Sequence, residues 1–244
     1  MGVLVALGAA FAAGAVSGLT GFGLALVGVP LLLFVYDPAT VVVLIMAFSL
    51  LINAAVVQDS WRKVDRRMAA ALSPPALAGV AGGTEVLRVA SPEQLRLAVG
   101  VLVVLSALLM LRDVRLPGTG SRLAPAVAGL VSGALSTSVG LAAPPVVLLL
   151  AARGLPKAAF RATSALFFLV MSVFGAAALA ARGLIPEGSL SLAAALLPAA
   201  LAGKLAGTAL VGRIPEGAFR RITLLLTLAT GALGAATALL ALLR

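Results

Sequence analysis

The chain has 244 residues, of which 62% are hydrophobic and 11% charged, with a formal net charge of +10. An average soluble domain is about 45–50% apolar and about 25% charged, so one buried core cannot absorb this excess, whereas a lipid bilayer can. With neither cysteine nor histidine, disulfides, haem, zinc sites and Ser-His-Asp catalysis are excluded, and no metal, cofactor or catalytic residue is expected.

In chain order, the first apolar runs are 2–16 and 24–35, separated by the polar, Gly-rich break Ser17-Gly18-Leu19-Thr20-Gly21-Phe22-Gly23. The first run has the apolar look of a signal peptide but lacks a positive n-region, and its pattern recurs mid-chain, so it is expected in the mature fold. Spans of about 20 apolar residues follow at 39–58, 68–87 and 94–111. The first of them carries Ser49 and Asn53 on one helical face. After it, the run from Trp61 to Arg67 reads as an interfacial anchor. A second pair of short runs, 123–135 and 146–152, flanks a second break from Ser132 to Gly140 that contains Ser136, Thr137 and Ser138. Three more spans are expected at 162–181, with Thr163 and Ser164 near its start, at 189–211, which holds Lys204, and at 221–243.

The two breaks belong to copies. The segment from Gly14 aligns without gaps onto that from Gly129, an offset of 115 that sets Ser17 on Ser132, Ser49 on Ser164 and Pro30 on Pro145. LAGVAGGT, ending at Thr84, matches LAGKLAGT, ending at Thr208, at an offset of 124. Short Gly/Pro-interrupted segments at matching places in two halves point to a transporter site, although small residues also serve close helix packing.

Charge decides between topologies. If all eight segments cross, Lys and Arg divide 9 inside to 8 outside. If each broken segment is a re-entrant hairpin, the division is 13 to 4, in agreement with the positive-inside rule. Three crossings per half then invert the halves. The expected fold is an all-α polytopic membrane protein of two inverted repeats, 1–115 and 123–244, each a re-entrant hairpin (2–35 and 123–152) plus three spans. Both termini lie outside.

The half-helices after the breaks would aim their N-terminal N–H groups and partial positive charge into the membrane, making an anion pocket without a buried cation. The expected substrate-binding residues are Thr20, Gly21, Phe22, Gly23, Asn53, Ser136, Thr137, Ser138 and Gly140. Lys204, the cation deepest within a span, joins them by the rule that intramembrane charge is functional. No carboxylate lies mid-span, so a proton relay is unsupported; Asp59, at a helix end, is the best remaining candidate for one.

GLTGFGLALVGVPLLL and GALSTSVGLAAPPVVLLL, paired over a chain of this length, resemble the two motifs of the TauE/SafE family of sulfite-exporter-like membrane proteins. The resemblance covers essentially the whole chain. It implies transport, usually export, of sulfite, sulfoacetate or a related organosulfur anion across a bacterial inner membrane. Its partners would be that small anionic substrate and the lipid bilayer, with no nucleic acid; a homodimer is compatible with the sequence. The second motif has Ser136, Thr137 and Ser138 where the family form has glycines, which bears on substrate identity. A passive anion channel or facilitator is the alternative within the class. An intramembrane enzyme would need buried His, Asp or Cys chemistry, of which the sequence has almost none, and a scaffold would leave the two polar breaks unexplained.

Overall fold

A computed structural model describes residues 2–111, 121 and 123–210. The expected span 221–243 and the basic residues Arg112, Arg115, Arg122, Arg213, Arg220, Arg221 and Arg244 lie outside the described residues. The described chain is helical, without strands: α1 (Gly2–Thr20), α2 (Leu24–Leu32), α3 (Pro38–Ser60), a short 3-10 turn (Trp61–Lys63), α4 (Arg66–Val89), α5 (Pro92–Leu111), α6 (Ala124–Val139), α7 (Ala143–Ala152), α8 (Lys157–Ala181) and α9 (Ser189–Leu210). Four helical stretches are long and apolar enough to cross a membrane, namely α1, 38–63, α8 and α9. The expected spans at 68–87 and 94–111 are helical but are not among these four. Conversely α1, read as half of a hairpin, is long enough to cross: 19 residues at about 1.5 Å each reach about 28 Å.

Local chemistry sets the helix ends. Asp37 accepts the Thr40 N–H at 3.0 Å and Pro38 opens α3. Burial raises the Asp37 pKa, but hydrogen bonds from Thr40 and the adjacent backbone outweigh it and hold the carboxyl below its usual value. Asp65 caps α4 through the Met68 N–H at 2.9 Å. Gly21 and Gly140 end α1 and α6 in the left-handed region, at φ +86° and +77°, where a side chain is strained.

Both broken segments fold back. Gly28 of α2 lies against Ala13 of α1, and Val35 returns to within contact of Gly2. In the second segment the Ser132 hydroxyl donates to the Ala142 carbonyl at 2.5 Å, and Arg153 donates to the Ser121 carbonyl at 2.7 Å, closing the far end. Elsewhere Arg88, at the end of α4, and Arg182, after α8, both pair with Glu85. Likewise the Asp65 N–H reaches the Thr163 hydroxyl at 2.9 Å, joining the end of α3 to the start of α8.

The most extensive helix pairings are α4 with α6 and α1 with α9, and α3 packs on α8 at the centre. Each of the first two unites a GxxxG pair with another: Gly79 and Gly83 with Gly129 and Gly133, and Gly14 and Gly18 with Gly203 and Gly207. A Cβ on any of the eight would overlap a backbone carbonyl of the facing helix, such as that of Ala76 for Gly133 or Ala200 for Gly14. Each pairing joins one half of the chain to the other.

These contacts also correct the repeat register. Gly14 meets Ala200 as Gly133 meets Ala76, Gly203 meets Phe11 as Gly79 meets Leu130, and Gly207 meets Ala15 as Gly83 meets Ala134. The separation is 124 on α4 and α9, as the sequence alignment has it, but 119 on the hairpins, as from Gly21 to Gly140. The offset of 115 is thus one helical turn out. Glycines spaced by four recur on the same face at every turn, so an alignment pinned on them slips by a turn without penalty. At 119, Ser17 corresponds to Ser136, and Asn53 to Ser172.

Gly79→Leu and Gly133→Leu should separate α4 from α6, seen as loss of the monodisperse peak in detergent chromatography. Gly82→Ala, where the added methyl meets nothing within 4 Å, should leave that peak intact and raise stability by up to about 1 kcal/mol.

Candidate functional site

One cavity lies between the two breaks. It encloses about 480 Å³ with its mouth included and takes lining from Gly21, Phe22 and Leu24 of the first break and from Gly140, Ala142 and Ala143 of the second. Helices α3 and α8 supply the walls, with Met46, Ser49 and Asn53 on one side and Phe168, Met171 and Ser172 on the other.

Two buried serines, Ser17 and Ser136, line the cavity one turn before the left-handed glycines, and neither hydroxyl makes a protein hydrogen bond among the described residues. Their oxygens are open to the cavity, where a ligand or water can meet them; the sealed side-chain oxygen without a partner among the described residues is that of Ser164 on α8. Across the cavity Asn53 donates its amide to the Ser49 carbonyl and hydroxyl oxygens, both at 2.8 Å. The Ser49 oxygen accepts that bond, so its own proton is left to donate elsewhere. By contrast, the Ser172 hydroxyl is turned back to the Phe168 carbonyl at 2.8 Å.

The expected site residues divide. Gly21, Phe22, Asn53, Ser136 and Gly140 line the cavity; Thr20, Gly23, Thr137, Ser138 and Lys204 do not. Thr137 donates to the Val80 carbonyl at 3.0 Å and braces α6 on α4. Ser138 donates to Ala134 at 2.7 Å within its own helix, and Lys204 donates to the Ile52 carbonyl at 3.2 Å. Thr20 builds the first turn: its hydroxyl donates to Val16 at 2.8 Å and accepts the N–H groups of Phe22 and Gly23 at 3.2 and 3.0 Å.

The expected backbone donors are therefore already engaged. Gly21 N–H bonds to Ser17, and Gly140 and Leu141 N–H both bond to Leu135. The N–H groups without an intrahelical acceptor lie further along, at Leu24, Ala25 and Leu26 in the first turn of α2. In α7 the second and third positions are Pro144 and Pro145, which have no N–H, so Ala143 alone of the first three offers one. Arg161, near the start of α8, packs on the first break: a Cβ at Gly21 would lie 3.1 Å from its Cγ. Among the described residues no group of acidic side chains is arranged to hold a metal ion.

A broken, hydroxyl-lined pair of hairpins in an all-helical membrane chain agrees with the comparison to known families. The family described as "Sulfite exporter TauE/SafE" matches residues 6–233. The chain belongs to the TauE/SafE family. It is accordingly a multi-pass membrane transporter, as the two break motifs implied. No curated protein and no solved structure matches the chain.

Thr20→Val should leave two N–H groups of the first tip without an acceptor and cost about 1–3 kcal/mol, read as a lower melting temperature in detergent, while Thr20→Ser should melt like the wild type. Equal melting of the valine variant would show that this turn does not depend on the hydroxyl.

Proposed function

We propose that the cavity between the two breaks binds a small anion, probed best with sulfur-containing oxyanions such as sulfite and organosulfonates such as sulfoacetate, and that the chain carries it outward across a bacterial inner membrane. The observation that carries this reading is the pair of unpartnered hydroxyls, Ser17 and Ser136, open to one cavity. Ser49, primed by Asn53, adds a third donor. The α2 N-terminus adds N–H groups and positive potential. No acid lines the cavity, so an anion meets no like charge there. Membership of the family supports the sulfur-anion class. Ser136, Thr137 and Ser138 contribute differently: Ser136 to the cavity, the others to helix packing.

The two halves are read as inverted repeats, 1–115 and 123–244, with the basic loops in the cytoplasm and the termini outside. Support comes from the hairpins, which open at opposite ends of the bundle: the first beside Tyr36, bonded by Arg96, and the second beside Ser121, bonded by Arg153. The sidedness follows from the positive-inside rule.

Titration of the purified chain with sulfite and with ethanesulfonate should show saturable binding, weakened about 10- to 100-fold by Ser17→Ala or Ser136→Ala, the loss of one hydrogen bond to a charged ligand. Unchanged binding in both would place the site elsewhere. Counterflow in proteoliposomes should distinguish a carrier from a passive channel, which gives none. For sidedness, Ser60→Cys and Ala158→Cys should both resist an impermeant thiol reagent applied outside intact cells; labelling of only one would break the hairpin topology.

A further inference from the structure

Resting on the reading of the cavity as an anion site, we infer that Arg161 is its charge-selecting residue, holding the anionic head of the substrate at the first break and making the site one-ended. The first turn of α8 lies across that break. Phe160 packs edge-on against Phe22, with ring centroids 6.0 Å apart, and Arg161 lies over Gly21, whose Cβ position is 3.1 Å from its Cγ and 3.3 Å from its Nε. Both Gly21 and Phe22 line the cavity, while Arg161 itself lies outside that lining, against Gly21. The second break shows what the same place looks like without a charge. There Gly140 is covered by Val29 and by Val42, which stands 119 residues before Arg161 in the first turn of α3. A guanidinium therefore occupies at one tip the position a valine occupies at the other.

That guanidinium is under-used by the protein. It offers five donors, and its one hydrogen bond among the described residues runs from Nη2 to the Gly18 carbonyl at 3.4 Å, a long contact. It has no salt bridge among the described residues. Its charged neighbour is Lys204, of like sign, and Asp59 at the end of α3 acts on Lys204. The Gly18 carbonyl also receives the Thr208 hydroxyl at 3.5 Å, an equally long contact. A part-buried cation without a counter-ion is costly, and a visiting anion relieves that cost.

The backbone repeats the asymmetry. The α2 end of the cavity offers the N–H groups of Leu24 and Ala25, whereas of their counterparts at the offset of 119, Ala143 and Pro144, only Ala143 has one. Helix end and guanidinium thus place positive potential on the same tip, and the opposite end of the cavity, with Ala142 and Ala143, is left for an apolar or neutral remainder.

The test is titration of the purified full chain with ethanesulfonate and sulfite, together with stopped-flow association at two ionic strengths. Arg161→Gln should weaken both probes about 10- to 100-fold and flatten the salt dependence of association, and Arg161→Lys should recover most of each loss. A cap on α1 alone would move melting temperature without moving the salt dependence. If Arg161→Gln binds within about twofold of wild type while Ser17→Ala is weakened, the cavity reading stands and Arg161 is not its selector. If Arg161→Lys is as weak as Arg161→Gln with equally lowered melting, its role is structural and the inference falls. If the wild type binds neither probe, the cavity reading fails and the inference with it.

Discussion

The close approach of backbones at four GxxxG pairs holds everything else in place. A bilayer gives helices no hydrophobic reason to associate, since lipid tails are as apolar as leucine. What remains is contact, and contact is strongest where no side chain intervenes. At α1–α9 and α4–α6 the absence of eight Cβ atoms lets each helix lie on the carbonyls of its partner. These two clamps fix α1 and α6, and α1 and α6 carry the breaks. A glycine at the tip would be of little use if the helix leading to it were free to slide.

The sequence revealed more of the architecture than of the site. Hydropathy identified the membrane setting, and the charge bias led to the expected return of each broken segment. The register of the repeat was less legible, because glycines spaced by four look alike at every turn. A different signal was present. Ser17 stands four residues before Gly21 and Ser136 four before Gly140, a Ser-x-x-x-Gly in each break that the ungapped alignment separates. Reading from the left-handed glycine backward would have paired the two serines.

The polar residues of the breaks show why side-chain roles resist sequence reading. Thr20, Ser136, Thr137 and Ser138 are chemically similar, and each had an equal claim to a ligand. Three are consumed by the fold: Thr20 by its own turn, Thr137 by α4, Ser138 by the turn before it. Facing, rather than composition, decides which hydroxyl remains over. Helical phase could have excluded Thr137, which follows Gly133 by one turn on the α4-facing side. No periodicity could have found Arg161, whose place over Gly21 depends on how two distant helices meet. Thr137 and Arg161 are thus both decided by contacts across the chain.

The interleaving of the halves has a consequence for how the protein is made. The helix on which α1 rests, α9, begins at Ser189. At a synthesis rate of about 5–20 residues per second, α1 is complete roughly ten to forty seconds before its partner leaves the ribosome. During that interval its glycine-bared carbonyl face has no permanent neighbour, while α6 finds α4 already waiting. The nascent chain thus assembles from its middle outward, and its first helix is among the last of the described segments to settle.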